Sequence, residues 1–268
     1  MATTRVHLSV LKTLRADLNK TDLSEKPEDT IKAVDARYSM SSSRVALSAL
    51  RKEYPANKVF IAEMQKRYQT FRKLDETQEP TERQQDNFVK WDDLILFRDE
   101  YYEQMTPTQR LLMALYTRIP PVRADYTPMM ICSRKPSTYA DGMNYLVMTQ
   151  NPYFIFHAYK THTKYGDKII KIPATLKKEL EAYFEIYPDL TYLFESDGQP
   201  WTSARLGSTV RRIFQQFHDI DTGITMIRHA YATKFHKGQK PLSELRKVAS
   251  AMMHSTTLSQ AYRFLSLE

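Results

Sequence analysis

The chain has 268 residues, long enough to bury a full hydrophobic core in one large or two modest domains, and it carries a net charge of +8, which points toward a polyanionic partner. A single cysteine, Cys132, excludes an internal disulfide framework and a cysteine-based zinc site and suits a reducing compartment, and no metal or cofactor is implied. The start Met1-Ala2-Thr3-Thr4-Arg5 lacks the apolar core of a signal peptide and no stretch approaches the ~18 apolar residues of a membrane span, so a soluble, intracellular protein with no membrane partner is expected.

Residues 1–73 read as helical. Leu8, Leu11, Leu14 and Leu18 fall at helix-face spacing, followed by Ala46–Leu50 and a long segment from Asn57 to Lys73, with Pro27 and Pro55 as the interruptions. The triplet Ser41-Ser42-Ser43 before Arg44 has the pattern of a helix N-terminus, whose free amides also suit a DNA phosphate; Ser43 and Arg44 are therefore candidate phosphate contacts. Residues 75–86 are polar throughout and are expected to hold the linker, giving domains 1–82 and 83–268.

The second part opens with a helix over Trp91–Tyr102. Thr106-Pro107 then caps another, whose apolar residues are Leu111, Leu112, Leu115 and Tyr116, and Pro120-Pro121 end it just before Val122-Arg123. Three short segments rich in Tyr, Ile and Val follow: Asn144–Met148, Tyr153–Tyr159 and Lys168–Ile172. The last two flank a Gly166-Asp167 turn signal and predict an antiparallel hairpin. After Pro173 the pattern is helical to the end. The expected class is mainly α with a small antiparallel β-sheet.

The stretch Ile224-Thr225-Met226-Ile227-Arg228-His229-Ala230-Tyr231-Ala232-Thr233, with Met253-His254-Ser255 and Tyr262 after it, resembles the C-terminal signature of tyrosine recombinases and integrases. In that family an Arg-His helix start precedes a His-Ser pair and then a nucleophilic tyrosine. Arg123, with the acidic Asp125 after it, resembles the family's first catalytic arginine, and Lys160-Thr161 its catalytic lysine, with Lys164 as the alternative. The resemblance covers residues 105–268 by motif and 1–82 by architecture alone. It implies a helical core-binding domain and a mixed α/β catalytic domain that clamp double-stranded DNA, acting as a homodimer on one site and a homotetramer in the synapse. The spare architecture looks similar to recombinases of eukaryotic mobile elements and large DNA viruses, and a nuclear location follows if the host is eukaryotic.

These residue types suit phosphoryl transfer without metal. A tyrosine nucleophile stores the bond energy as a phosphotyrosine. Two planar guanidiniums clamp the oxygens of the phosphorane, and a lysine protonates the leaving 5′ oxygen. The resemblance thus implies Tyr262, Arg123, Arg228, His254 and Lys160 as the catalytic set. Arg211, Arg212 and Lys234 are further candidate phosphate contacts or simply solvated charges.

The chain departs from the family where His-x-x-Arg is usual, since Thr225 stands three residues before Arg228. A threonine hydroxyl can bond a phosphate oxygen but cannot act as an imidazole base, which makes Thr225 a site neighbour of altered chemistry. Two other readings fit the same residues: a type IB topoisomerase that relaxes supercoils as a monomer, and a DNA-binding module that keeps the fold without activity.

Overall fold

The computed structural model describes residues 2–238, 240–253 and 255–267; the side chains of Ala2, Thr3, Thr4, Ser41, Asp75 and Leu258 lie outside that description. By internal contact the chain forms two compact units, Met1–Thr77 and Gln78–Glu268, so the division falls a few residues before the expected one at residue 82.

The first unit holds four helices: α1 (Ala2–Leu18), α2 (Pro27–Arg37), α3 (Met40–Glu53) and α4 (Lys58–Thr77). Pro27 opens α2 at its first turn, where the missing N–H is one of the unpaired donors in any case. Asn57 starts α4, its side-chain oxygen accepting from the amides of Val59 and Phe60 at 3.1 and 3.2 Å. Leu11, Leu14, Leu23, Val34, Leu47, Leu50 and Phe60 close the core, whereas Leu8, expected on the same face, is 61% exposed one turn beyond it. The cap of α3 is Ser39, which accepts from the Ser42 amide, and not the serine triplet. Ser43 lies inside the helix, fully buried, its hydroxyl donating back to the Met40 carbonyl at 2.8 Å.

The second unit begins in the tract expected as linker. Thr81 and Gln84 form a reciprocal capping box that nucleates α5 (Glu82–Asp86), so a polar composition there encodes a short capped helix. Next come α6 (Trp91–Glu100), a 3-10 turn at Tyr102–Gln104 and α7 (Pro107–Thr117), capped by Thr106 with its own box to Gln109. Every side chain of α7 from Leu111 to Thr117 is buried, and this helix packs on α6, on α9 (Ala174–Ile186) and on α10 (Ser203–His218).

The sheet has the order β1 (Met129–Cys132), β2 (Asn144–Val147), β3 (Tyr153–Phe156), β4 (Lys168–Lys171). β3 and β4 pair antiparallel, as the turn signal predicts, and so do β2 and β3. β1, not foreseen, runs parallel to β2 in the register Met129 to Asn144. The connection from β3 to β4 contains a one-turn helix, α8 (His162–Tyr165), ended by Gly166 at φ +63°, a conformation that costs an L-residue side chain about 1 kcal/mol or more. A two-residue ribbon of β5 (Glu195–Ser196) and β6 (Gln199–Pro200) interrupts the expected helical run after Pro173. The chain ends with α11 (Ile224–Phe235), α12 (Leu242–Ala251), α13 (Thr256–Ala261) and a 3-10 turn at Leu265–Leu267.

Candidate functional site

Of the residues singled out in the second unit, Arg228 on α11, Arg123 in the loop between α7 and β1 and Tyr262 after α13 come together. Arg228 lies on the first turns of α11 and is only 1% exposed. Burying a guanidinium is costly unless its N–H groups are paired. Here Nη1 donates to the Pro121 carbonyl at 2.7 Å and Nη2 to the Met252 carbonyl at 3.4 Å. Desolvation lowers the Arg228 pKa from its ordinary value, and interaction with Tyr262 opposes that shift, both through charge and through a side-chain hydrogen bond. The ring of Tyr262 lies 5.1 Å from the guanidinium carbon.

Arg123 sits in the loop that Pro120-Pro121 start, and its carbonyl accepts from the buried Tyr116 hydroxyl at 2.9 Å. Its Nη1 is buried with no hydrogen-bond partner among the described residues, and so is Oδ2 of Asp125. Burial raises the Asp125 pKa, while Arg123 and Arg228 together pull it down. Arg123, Arg228 and Asp125 are thus near enough for their charges to act on one another.

Tyr262 follows α13 and is held by its backbone. The Tyr262 carbonyl meets Nδ1 of His229 at 2.8 Å, so the neutral imidazole acts as the donor. The His229 ring lies against Phe264 at 4.2 Å, nearly parallel, and against Tyr262 at 4.6 Å. Burial pushes the pKa of His229 down to about 4, which keeps it neutral at ordinary pH. The next residue in this anchor is Phe264, whose amide donates to Thr233 Oγ1 at 2.9 Å. The Arg-His pair is therefore divided by function of position: Arg228 faces the loop of Arg123, and its neighbour fastens the tyrosine segment.

Asn144, the first residue of β2, organises the other side and has no motif to announce it. Its Nδ2 donates to the carbonyls of Asp125 at 2.8 Å and Ala158 at 3.1 Å, and its Oδ1 accepts from the amides of His157 at 2.9 Å and Ala158 at 2.7 Å. One buried amide with every bonding position used ties the Arg123 loop to the segment leading into Lys160. Lys160 itself is exposed and lies on the turn after β3; the strand ends at Phe156 because the chain bends where Asn144 captures the next amides. Thr161 Oγ1 reaches the Met253 carbonyl at 3.4 Å, next to the carbonyl that receives Arg228. Met253 adopts φ +56°, a strained conformation for a side-chain-bearing residue that turns the chain sharply after α12.

His254 lies outside the described residues. Lys164 is exposed on α8, while a third lysine, Lys168, is half-buried at the start of β4 with Nζ 3.3 Å from Ser250 Oγ. Thr225 is exposed on the first turn of α11. On α10, Arg212 is exposed and Arg211 pairs with Asp221 at 2.8 Å; on α11, Lys234 pairs with Asp92 at 2.6 Å. In the first unit Arg44 is exposed and its guanidinium lies over the rings of Phe71 at 4.4 Å and Tyr68 at 5.9 Å, while Ser43 points inward.

No protein-family model matches the chain, and no curated protein matches it in sequence. Among solved structures it is similar to that of XerA recombinase, with 15% identity, a TM-score of 0.47, and 99% of this chain and 87% of that chain covered. It is also similar to XerH site-specific recombinase bound to its difH substrate in a pre-cleavage complex, with 17% identity, a TM-score of 0.51, and 89% of this chain and 66% of that chain covered. The chain has a tyrosine recombinase fold, mainly helical with a small, antiparallel-rich sheet. Among the described residues no helix is long and apolar enough to cross a membrane.

Proposed function

We propose that this protein is a DNA strand transferase that cuts and rejoins double-stranded DNA at a specific site. The observation that carries this reading is the meeting of Tyr262, Arg228 and Arg123, three groups far apart in the chain and suited to one phosphate, with Asp125 beside the two arginines. Arg123 and Arg228 neutralise the non-bridging oxygens while the Tyr262 oxygen, giving up its phenolic proton to solvent, attacks phosphorus. The bond to the 5′ oxygen breaks, that oxygen takes a proton from Lys160, and the DNA 3′ end remains joined to the tyrosine. Attack by a 5′ hydroxyl of another strand reverses these steps and releases Tyr262. None of them calls for a metal ion. His254 would add a hydrogen bond to a phosphate oxygen, and Thr225 a weaker one.

Because Arg228 is buried beneath the Tyr262 ring, phosphate and ring compete for the same guanidinium. The described arrangement is thus a resting one, and DNA binding would displace the tyrosine segment toward attack. Residues 1–82 would act as the core-binding domain, with Arg44 among its phosphate contacts, and 83–268 as the catalytic domain; Arg211, Arg212 and Lys234 would add contacts after exchanging their carboxylate partners where they have one. Two copies would occupy one site and four would form the synapse, as in an integrase of a mobile element, in whichever compartment holds the DNA.

The test is to incubate the protein with fragments of its source genome, quench with detergent and look for protein covalently joined to DNA 3′ ends. Adducts present with the natural chain and absent with Tyr262→Phe support the reading. Tight DNA binding without adducts overturns it in favour of an inactive module, and relaxed topoisomers without recombinants identify a type IB topoisomerase.

A further inference from the structure

His157, His162 and Asp167 stand at five-residue steps in the connection between β3 and β4, and the fold brings their polar atoms to one point. Nδ1 of His157 lies 2.7 Å from Oδ1 of Asp167, and Nε2 of His162 lies 2.8 Å from the same oxygen. All three donor atoms fall within 4.8 Å of one another. Each partner is placed by a different local device. The His157 backbone is fixed by Asn144, His162 opens α8, and Asp167 follows the positive-φ Gly166 that turns the chain into β4. The two imidazoles are themselves in contact, with ring centroids 4.6 Å apart.

We propose that these three side chains form a binding site for a divalent transition metal ion, Zn2+ or a close relative, that clips the β3–β4 connection. In the arrangement observed, one carboxylate oxygen serves both imidazole nitrogens. A cation among the three atoms takes the place of the protons in the two hydrogen bonds. At Zn–N and Zn–O lengths of roughly 2.0–2.2 Å, tetrahedral donors lie about 3.4 Å apart. The carboxylate oxygen then parts slightly from each nitrogen while the two nitrogens, now within 4.8 Å, draw together, movements within reach of side-chain rotation at this partly exposed site. Two imidazoles and one carboxylate suit zinc and its neighbours, whereas Mg2+ and Ca2+ prefer all-oxygen sets. The side chains are 26%, 33% and 36% exposed, so an ion can enter and water can complete its shell. The single cysteine excludes thiolate sites only and leaves a histidine–carboxylate site open.

Lys160 and Lys164 lie within the clipped segment. An ion would hold both ends of it, so occupancy would restrict the motion of Lys160; this consequence rests on the strand-transfer reading, while metal binding does not. The full chain is titrated with Co2+, read by visible absorption, and with Zn2+, read by calorimetry, with no DNA present. One equivalent is expected to bind, weakened at least about tenfold in Asp167→Asn and in His162→Gln and unchanged in His218→Gln. Thermal melts without metal establish that each variant is folded; if one is not, the other carries the comparison. Absence of saturable binding to the natural chain, or equal binding by the folded variants, overturns the proposal whatever the outcome for DNA cleavage.

Discussion

The two units are built on different terms. The first buries aliphatic residues and Phe60 and, among its described side chains, only two polar ones, Thr30 and Ser43, each satisfied by a nearby carbonyl. Its ion pairs Arg15–Glu53, Arg37–Asp17 and Arg67–Asp35 each include a partner at least a third exposed and contribute roughly 0–1 kcal/mol each, and Arg72–Glu76 is exposed on both sides. The second unit buries Arg98, Asn144, Arg228, His236 and Ser259, which need specific partners to be tolerated at all. Stability alone is served better by the first strategy. The second spends stability on a constellation that holds a guanidinium, a carboxylate and a tyrosine in fixed relation.

Substitutions can break that contrast, and the largest effect is expected at Arg228. On the strand-transfer reading, Arg228→Ala should reduce covalent adduct formation by about a thousandfold, since it would remove a preorganised clamp on the phosphorane. Arg228→Lys should rescue little of it, because an ammonium cannot span the Pro121 and Met252 carbonyls and a phosphate as a planar fork does. Full adduct yield from either folded variant would remove Arg228 from the chemistry. In the first unit, Phe60→Ala should cost about 3–5 kcal/mol by leaving a cavity in an otherwise apolar core, measured by hydrogen exchange of α3 and α4. A small loss would mean that this core collapses to fill the gap.

The pH dependence sharpens the comparison in the second unit. His229 has an ordinary pKa of 6.5 and about 4 in the fold, so the unfolded chain binds more protons between those values. Its contribution is complete above pH 6.5 and is lost as pH falls toward 4, a change of roughly 3 kcal/mol from that shift. Urea titrations across this range should show the decline, and His229→Phe should flatten it while keeping an aromatic ring against Phe264. An unchanged slope would assign the acid sensitivity to another group. The smallest effect is expected from Asn144→Ala, which leaves the amides of His157 and Ala158 and two carbonyls without their partner and should cost about 1–3 kcal/mol. That variant should also loosen the segment before Lys160, seen as faster amide exchange there.

The helical character of residues 1–73, the Thr106 cap, the β3–β4 pairing and the class of fold were all legible in the sequence, because apolar periodicity, capping residues and turn glycines act over a few residues. The same local rules went astray where one residue competes with its neighbours. Ser39 captured the α3 cap from the serine triplet, and Thr81 with Gln84 made a helix inside a tract read as linker. The order Arg123, Arg228, Tyr262 could be read along the chain, and with it a resemblance. Their meeting could not. It depends on the Met252 and Met253 carbonyls, on His229 gripping the tyrosine backbone and on Asn144 joining a loop to a strand end. The same holds for His157, His162 and Asp167, whose five-residue steps match no regular helix or strand face and converge only after the turn at Gly166. Local pattern determined which elements form, since their energies arise between near neighbours. Tertiary structure decided which polar groups share a buried volume, since that depends on satisfying donors and acceptors contributed by distant parts of the chain.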